Sequence, residues 1–375
     1  MATTLINSST TAFDTGGPRP CPKRKTVGFF SLLFVVFLMA AALFLLNKLL
    51  MPKYMSDIYE GALVAEYYAA QKDHALLVIG DCEAYENISP ITLWEEHGIT
   101  SYIRGSAQQL IWQSYYLLED AFRYEKPQTV MFSVLAMKYG VPQSEAYNRL
   151  TLDGMRLTTS KIKAVNASKT KGESLASYLF PLFRYHDRWR ELNQEDVLYM
   201  FDRRGVSHNG FMMRCDVKPV TSLPTPAKLG DYALSENCWA YLDKMRKLCE
   251  RHGAELILFK APVPYPYWYP QWDAQVSDYA ARYGLLYINA LDDMEAIGID
   301  MATDTYDGGL HLNLWGAEKF SRYLGAVLSE RGLADLRGDN GISAAWEKKA
   351  REYAQMKAAQ LEEIEACGEV LTFLK

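Results

Sequence analysis

The chain has 375 residues, of which 49% are hydrophobic and 23% charged, and its formal net charge is −5. These values are typical of a globular protein with one large or two smaller domains. They exclude the basic surface that nucleic-acid binding requires. The six cysteines form no CxxC pair and no zinc-ligand spacing, so we predict neither a metal site nor a dense disulfide framework.

The N-terminal part of the sequence predicts a membrane anchor. Residues 1–25 are small, polar and rich in Pro and Gly, which predicts a disordered tail. Residues 26–46 carry no charge and are long enough to cross the hydrocarbon core as a transmembrane helix. A cleaved signal peptide is the alternative, but it would have a shorter apolar region followed by a small-x-small cleavage site. The sequence "NKLLMPKYM" after the apolar stretch offers no such site.

Charge on either side of the apolar stretch predicts the topology. Cytoplasmic flanks carry the excess of Lys and Arg. The N-terminus is therefore expected to be cytoplasmic, and the remainder extracytoplasmic, in a single-pass protein of the cell membrane. The basic residues that precede the stretch are Arg19, Lys23, Arg24 and Lys25.

Alternating strand and helix patterns predict the outer domain, over residues 54–340. Predicted strands are "HALLVIG", "TSYIRG", "QTVMFSVLAM", "AELILFKAPVP" and "LLYINAL", and most are separated by helix-forming stretches such as "SPITLWEEHG". This alternation predicts an α/β fold, a mainly parallel sheet with helices on both faces. The pattern is interrupted at about residues 141–228, which we interpret as an insertion. Residues 343–373 predict a C-terminal amphipathic helix that either docks on the domain or faces a partner.

The first motif with chemical potential ends the first strand, at Gly80-Asp81-Cys82. Sites in parallel sheets lie beyond the carboxyl ends of the strands. Cys82 is therefore either a nucleophile or a small hydrophobic residue at the end of a core strand. Asp81 is expected to brace the turn, and Glu83 to pair with a base from the insertion. Whether the other cysteines of the outer domain pair is left open.

The second motif is "DTYDGGLHLNLWGAEKF", which begins at Asp304. Its two glycines allow a tight loop, so that an Asp can fold back to the ring of His311. A base held by a carboxylate is what a neighbouring Ser or Cys needs in order to lose its proton. Asp307 is preferred over Asp304 as that carboxylate, because it lies nearer to His311 in sequence.

Taken together, "GDCEAYENISPITLWEEHGITSYIRGSAQQ" and "DTYDGGLHLNLWGAEK" resemble the SGNH/GDSL hydrolase family. The resemblance covers about residues 74–332 and implies a flavodoxin-like three-layer fold. It gives Cys82 the place of the family's serine nucleophile and His311 the place of the base. It also implies that the backbone N–H groups of Cys82 and Gly105 line an oxyanion hole.

The sequence departs from the family pattern in three ways. The nucleophile is a cysteine, three residues separate Asp307 from His311 instead of two, and the third-block Gly-x-Asn-Asp is missing. Gln109 could supply the missing amide donor, or it could simply begin a helix. A cysteine nucleophile near a helix N-terminus and an imidazolium is expected to have a pKa below the free value of about 8.5. Cys82 is then expected to react with iodoacetamide faster than the other cysteines.

The resemblance is narrower to membrane-anchored members of Gram-positive bacteria that accompany membrane-bound O-acyltransferases. It implies an esterase or acyltransferase that acts on an acylated surface polysaccharide and uses no metal or organic cofactor. An inactive accessory protein that binds a glycan or the acyltransferase is the alternative. Candidate substrate-binding residues are Lys260, Asp81 and Glu83. Aromatic residues that could stack on sugar rings, or else be buried, are Tyr265, Tyr267, Trp268 and Tyr269.

Overall fold

A computed structural model describes residues 28–51, 61–201 and 205–371. The predicted disordered tail, residues 1–25, lies outside the described residues. The chain divides into two compact units, Met1–Leu46 and Asn47–Lys375. Helix α1 spans Phe29–Leu49, begins and ends three residues later than the predicted helix, and reaches a mean hydropathy of 2.9. It is long and apolar enough to cross a bilayer, a property that signal sequences share.

The second unit is built on a five-stranded parallel sheet, which confirms the predicted fold class. Its strand order is β2-β1-β3-β4-β5, the doubly wound order of flavodoxin-like folds. The connection after β1 leads to β2 and the connection after β3 leads to β4, on the opposite side, so the topological switch point lies between the carboxyl ends of β1 and β3. The strands are β1 Leu76–Gly80, β2 Ser101–Gly105, β3 Thr129–Ser133, β4 Glu255–Lys260 and β5 Leu286–Asn289.

Two hydrophobic cores lie on the two faces of the sheet, because alternate strand residues point to opposite faces. Along β1, Leu77 and Ile79 enter one core, and Leu76 and Val78 enter the other. Helices therefore cover both faces, as the near-continuous apolar strands predict. Those outside the insertion are α2 Ala62–Glu66, α3 Cys82–Tyr85, α4 Pro90–His97, α5 Ile111–Ala121, α11 Glu236–His252, α12 Pro270–Tyr283, α13 Met294–Ile297, α14 Leu314–Glu330 and α15 Asn340–Cys367.

The chain between β3 and α11 forms the insertion. Its loop at residues 205–213 covers the outer edge of β2, where the Ile103 N–H donates to the Asn209 carbonyl at 3.0 Å. A Cβ at Gly210 would lie 2.0 Å from the Ile103 oxygen, so only glycine fits there. The helices of the insertion are α6 Glu145–Leu152, α7 Thr159–Ser168, α8 Leu175–Leu179, α9 Leu182–Tyr185 and α10 Gln194–Phe201, with 3₁₀ turns at Val134–Lys138 and His186–Arg190.

The C-terminal helix α15 docks on the domain. Trp346 is fully buried, and the Tyr353 hydroxyl bonds to Glu318 of α14 at 3.2 Å. Gln360 accepts from the Cys215 N–H at 2.9 Å and donates to the Met213 carbonyl at 3.0 Å. The helix thereby connects the insertion to α14. The cysteines of the described residues form no disulfide; they are Cys82, Cys215, Cys238, Cys249 and Cys367.

Candidate active site

Cys82 stands at the carboxyl end of β1, beside the crevice at the switch point of the sheet. It is the first residue of α3 and is partly buried. A Cβ on Gly80 would lie 2.6 Å from Cβ of Ser133, so the glycine lets the turn pass close to β3. Asp81 caps α3 by accepting the Glu83 N–H at 3.2 Å, which matches its expected role of bracing the turn.

A tight loop before α14 carries His311. Asp307 folds back within it, and its Oδ1 accepts the N–H groups of Leu310 at 3.1 Å and His311 at 2.9 Å. The other carboxylate oxygen, Oδ2, lies 2.6 Å from His311 Nδ1. Gly309 turns with a φ of 103°, in the left-handed region that favours glycine. The loop therefore orients the imidazole through its Nδ1.

A buried asparagine holds this loop against the turn that carries Cys82. The Leu312 N–H donates to Asn87 Oδ1 at 2.8 Å, and Asn87 lies two residues after α3. His311 and Cys82 are thereby neighbours, and each alters the pKa of the other through charge and a side-chain hydrogen bond. Asp307 occupies Nδ1, so Nε2 remains for the thiol. Nε2 is buried and makes no other hydrogen bond among the described residues.

The other candidate carboxylate, Asp304, lies elsewhere. Its Oδ2 is 2.7 Å from Nζ of Lys319 and also accepts the Asp300 N–H at 2.8 Å. These bonds connect the start of the loop to the second turn of α14. The structure thus gives Asp307, and not Asp304, the hydrogen bond to His311.

A second carboxylate, Glu86, also approaches His311, and sequence analysis missed it. Its Oε2 lies 3.3 Å from His311 Nδ1, and it accepts a hydrogen bond from the Tyr306 hydroxyl. The Tyr306 hydroxyl is itself 3.3 Å from the same nitrogen. Glu86 stands four residues after Cys82, one helical turn away, and this spacing is a signal that could have suggested it.

The pKa of the Cys82 thiol is higher than the sequence predicts. Burial, followed by the charge of Asp81, raises it to about 11, although His311 acts in the opposite direction. We expected a value below 8.5. The four-residue helix α3 is too short for its dipole to offset removal of the thiolate from water.

The pKa of His311 moves the other way from what burial alone would cause. Burial lowers it, but the charges of Glu86 and Cys82 and the Asp307 hydrogen bond raise it well above 6.5. Burial also raises the pKa of Glu86. At neutral pH the site therefore favours an imidazolium beside a neutral thiol. The form that can attack an ester is a thiolate beside an imidazolium. The site reaches this form when the imidazolium and thiol pair loses one proton.

This arrangement predicts the effect of Glu86→Gln on pH dependence. Removal of the charge lowers the pKa of both His311 and Cys82, because Glu86 raises both. The rising acid-side limb of kcat/KM against pH is expected to move to lower pH. Since glutamine can still accept the Tyr306 hydrogen bond, the geometry is retained. A limb that stays in place, measured on an activated ester, would contradict this role of Glu86.

Lys260 and Glu83 do not face a substrate. Both are fully buried, and Lys260 Nζ lies 2.5 Å from Glu83 Oε1. Lys260 also donates to the carbonyls of Ala261 at 2.9 Å and Val263 at 3.1 Å. Glu83 accepts further from the Ser133 hydroxyl. This corrects the prediction that they bind substrate: the pair joins the ends of β1, β3 and β4. Asp81 is likewise buried and caps α3.

Gln109 also serves the interior. Its amide nitrogen donates to the Arg104 carbonyl at 3.2 Å and to Ser114 Oγ at 3.0 Å, and the residue is fully buried. It therefore has no hydrogen left for an oxyanion, which corrects that expectation. Gly105 ends β2 opposite Gly80, and a Cβ there would lie 2.8 Å from the Tyr85 ring.

A cleft of about 300 Å³ adjoins the His311 loop. It lies between residues 223–226 and the loop after β4, where Tyr265 and Tyr267 line it. A Cβ on Gly309 would lie within 3.6 Å of Pro264 and still closer to the side chains of Val220 and Leu223, which places the cleft beside the loop. Of the four aromatic residues considered for sugar stacking, Trp268 and Tyr269 are buried, while Tyr265 and Tyr267 are exposed.

Comparison with known proteins gives distant structural similarity only. No protein-family model and no curated protein matches the chain. A G-D-S-L family lipolytic protein from Desulfitobacterium hafniense is 13% identical, over 67% of this chain and 98% of its own, with a TM-score of 0.34. An acylhydrolase from Bacteroides fragilis is 11% identical, over 72% and 95%, with a TM-score of 0.36. A GDSL-like lipase from Bacteroides thetaiotaomicron is 9% identical, over 71% and 95%, with a TM-score of 0.33. TM-scores this low support no conclusion about function. The order of the strands in the sheet is what identifies the fold class of this chain.

Proposed function

We propose that the protein is a membrane-anchored, extracytoplasmic enzyme that cleaves or transfers an acyl ester on a cell-surface glycan. The observation that carries the proposal is the line of contacts from Cys82 to His311 to Asp307, with 2.6 Å between His311 Nδ1 and Asp307 Oδ2. A nucleophile, a base and a carboxylate that orients the base form the arrangement used for acyl transfer. They stand at the switch point, where sites in this fold class occur.

The proposed reaction has two halves. After the pair has lost one proton to solvent, neutral His311 takes the proton of the Cys82 thiol, and sulfur attacks the ester carbonyl to form a tetrahedral oxyanion. The carbon–oxygen bond then breaks, the leaving sugar oxygen takes the proton from His311, and a thioester remains on Cys82. Water or a second sugar hydroxyl gives its proton to His311 and attacks the thioester, which returns the thiol. Backbone N–H groups of Cys82 and Gly105 are the proposed oxyanion donors.

The cleft supports a glycan as the substrate. The exposed rings of Tyr265 and Tyr267 offer flat faces against which the C–H surfaces of a sugar can pack. A sugar held there would lie beside the loop that carries His311, because Gly309 of this loop borders the cleft. A membrane-bound O-acyltransferase is the proposed partner.

The test is capture of the acyl-enzyme. Full-length protein incubated with an aryl acetate is expected to gain one acetyl group on Cys82, as detected by peptide mass spectrometry. Cys82→Ser is expected to form an oxygen ester or to turn over, and Cys82→Ala to form neither. Turnover of the Ala variant equal to that of the wild type would remove the proposal.

Thiol labelling follows the corrected pKa. Because burial raises the pKa of Cys82 to about 11, iodoacetamide is expected to label the exposed Cys367 faster than Cys82 at neutral pH. Labelling of Cys82 is expected to rise with pH. Fast neutral labelling of Cys82 would instead indicate a stabilised thiolate.

A second candidate function is a non-catalytic accessory protein that binds a glycan or the acyltransferase. It is favoured by the raised pKa of the Cys82 thiol and by the committed amide of Gln109. Under this hypothesis, Cys82→Ala leaves the acylation of the surface polymer unchanged in cells. Loss of acylation in that variant, with normal protein levels, favours the enzyme.

The proposed topology makes a separate prediction. With α1 as the anchor, protease added to intact spheroplasts is expected to digest the second unit while cytoplasmic proteins survive. Protection of the second unit would reverse the topology. Release of the protein by alkaline carbonate would contradict the anchor itself, since integral membrane proteins resist that treatment.

A further inference from the structure

An unusual concentration of exposed apolar side chains lies in the insertion, at residues 180–201, which we name the interfacial segment. Phe183 is 65% exposed, Trp189 61% and Phe201 81%. Soluble proteins rarely expose so many large apolar side chains together without a binding partner. The exposed members are Phe180, Phe183, Trp189, Val197, Leu198 and Phe201.

The interfacial segment bonds to the chain that emerges from the proposed anchor. The Leu182 N–H donates to Asn47 Oδ1 at 2.9 Å. Arg188 donates to the carbonyl of Met51 at 2.9 Å and to that of Leu49 at 3.5 Å. Residues 47–51 hold the last turn of α1 and the exit from it, so an anchor that spans the bilayer places them at its surface. An anchor of this kind therefore also brings the interfacial segment to the bilayer surface.

Helix α10 of the segment buries a polar side chain and exposes apolar ones. In α10, Asp196 is buried and bonds to Arg188 at 2.6 Å, while Val197, Leu198 and Phe201 are exposed. A one-sided apolar helix of this kind is typical of elements that lie in a membrane interface. Arg190 lies over the Trp189 ring, 5.1 Å from its centre. Trp and Arg side chains both favour the headgroup region of a membrane.

We infer that the interfacial segment inserts its apolar side chains into the outer surface of the lipid bilayer, at the level of residues 47–51. The segment holds three arginines and four carboxylates, so burial of apolar groups and not attraction to anionic lipid supplies the binding. The occupant of the patch is lipid. The inference depends on the anchor and does not depend on the chemistry of Cys82.

Contact of this segment with lipid would fix the second unit against the membrane through two connections, the anchor and the patch. A tethered domain with a second contact rotates less freely. Its site would then keep one distance from the bilayer and meet substrates that are themselves held at the membrane.

Lipid quenching of Trp189 tests the inference on the full-length protein in phosphatidylcholine vesicles. The fluorescence of Trp189 is obtained as the difference between the wild type and Trp189→Phe. We expect lipid brominated near the headgroup end of its chains to quench this difference, and aqueous iodide to leave it largely unchanged. Phe183→Ser with Phe201→Ser, both at exposed positions, is expected to reduce the quenching by lipid.

The controls separate the possible failures. Trp94→Phe gives the difference for a tryptophan buried against Trp346, which neither quencher is expected to reach. Quenching of Trp189 by iodide alone would overturn the inference, and so would quenching by neither agent, because a protein would then cover the ring. Extraction of the protein by carbonate would overturn the anchor and this inference together, whatever the ester assay shows.

Discussion

His311→Ala is expected to lower kcat/KM for an activated ester by a factor of about 10² to 10⁴, the range that loss of a positioned general base causes. The reason is that His311 is the group placed to take the Cys82 proton, and the thiol alone, with its raised pKa, ionises little at neutral pH. The measurement is the rate against pH for both proteins. The variant is expected to recover part of its activity at high pH, where hydroxide removes the proton instead.

His252→Ala is the matched control, because His252 ends α11, away from the site, and stacks on Phe122. Its kcat/KM is expected to equal that of the wild type. Asp307→Asn is expected to resemble His311→Ala, since it removes the bond that sets the imidazole tautomer. Asp304→Asn is expected to lower stability instead, through loss of the Lys319 pair. Equal activity of His311→Ala and wild type would end the proposed mechanism.

Lys260→Met is expected to lower the free energy of unfolding by about 3–5 kcal/mol. The substitution leaves the carboxylate of Glu83 buried without its ammonium partner, although the methylene stem is largely replaced. The measurement is thermal or denaturant unfolding of the full chain in detergent, followed by circular dichroism. The double variant Lys260→Met with Glu83→Gln is expected to regain much of the loss, because no unpaired charge remains.

Lys348→Met provides the comparison for the loss of a lysine at the surface. Lys348 pairs with Glu352 across one helical turn at 3.7 Å, and both side chains are well exposed. Such pairs contribute about 0–1 kcal/mol. If the two variants lost equal stability, the Lys260 and Glu83 pair would not be what joins the ends of β1, β3 and β4.

The fold was predictable because the strands of a covered parallel sheet are short apolar runs that end in turn residues. "HALLVIG" and "TSYIRG" became β1 and β2 within about two residues of the expected limits. Apolar side chains determine these elements locally, so one segment at a time suffices. The amphipathic pattern of α15 did not predict that this helix docks on the domain, because the same pattern fits contact with a partner.

The site was only partly accessible to the same reasoning. Proximity in sequence correctly ranked Asp307 ahead of Asp304 for the bond to His311. The partners of Lys260 and Gln109 could not be inferred, because each is satisfied by groups distant in the chain or by local backbone that only the fold brings into reach. The thiol pKa was misjudged for a related reason, since burial depends on the whole structure and the motif shows only the neighbours in sequence.

The position of α15 has a consequence for the order in which the protein matures. The turn that carries Cys82 is synthesised early, His311 comes near the end of the domain, and α15 follows His311. Gln360 of α15 holds residues 213 and 215 of the insertion, and the carbonyl of Arg214 between them accepts the Leu314 N–H at the start of α14. Domains generally fold as units once their chain is available. A chain emerging from the ribosome therefore contains Cys82 long before His311 is made, and the bonds from Gln360 that hold residues 213 and 215 form only when α15 follows.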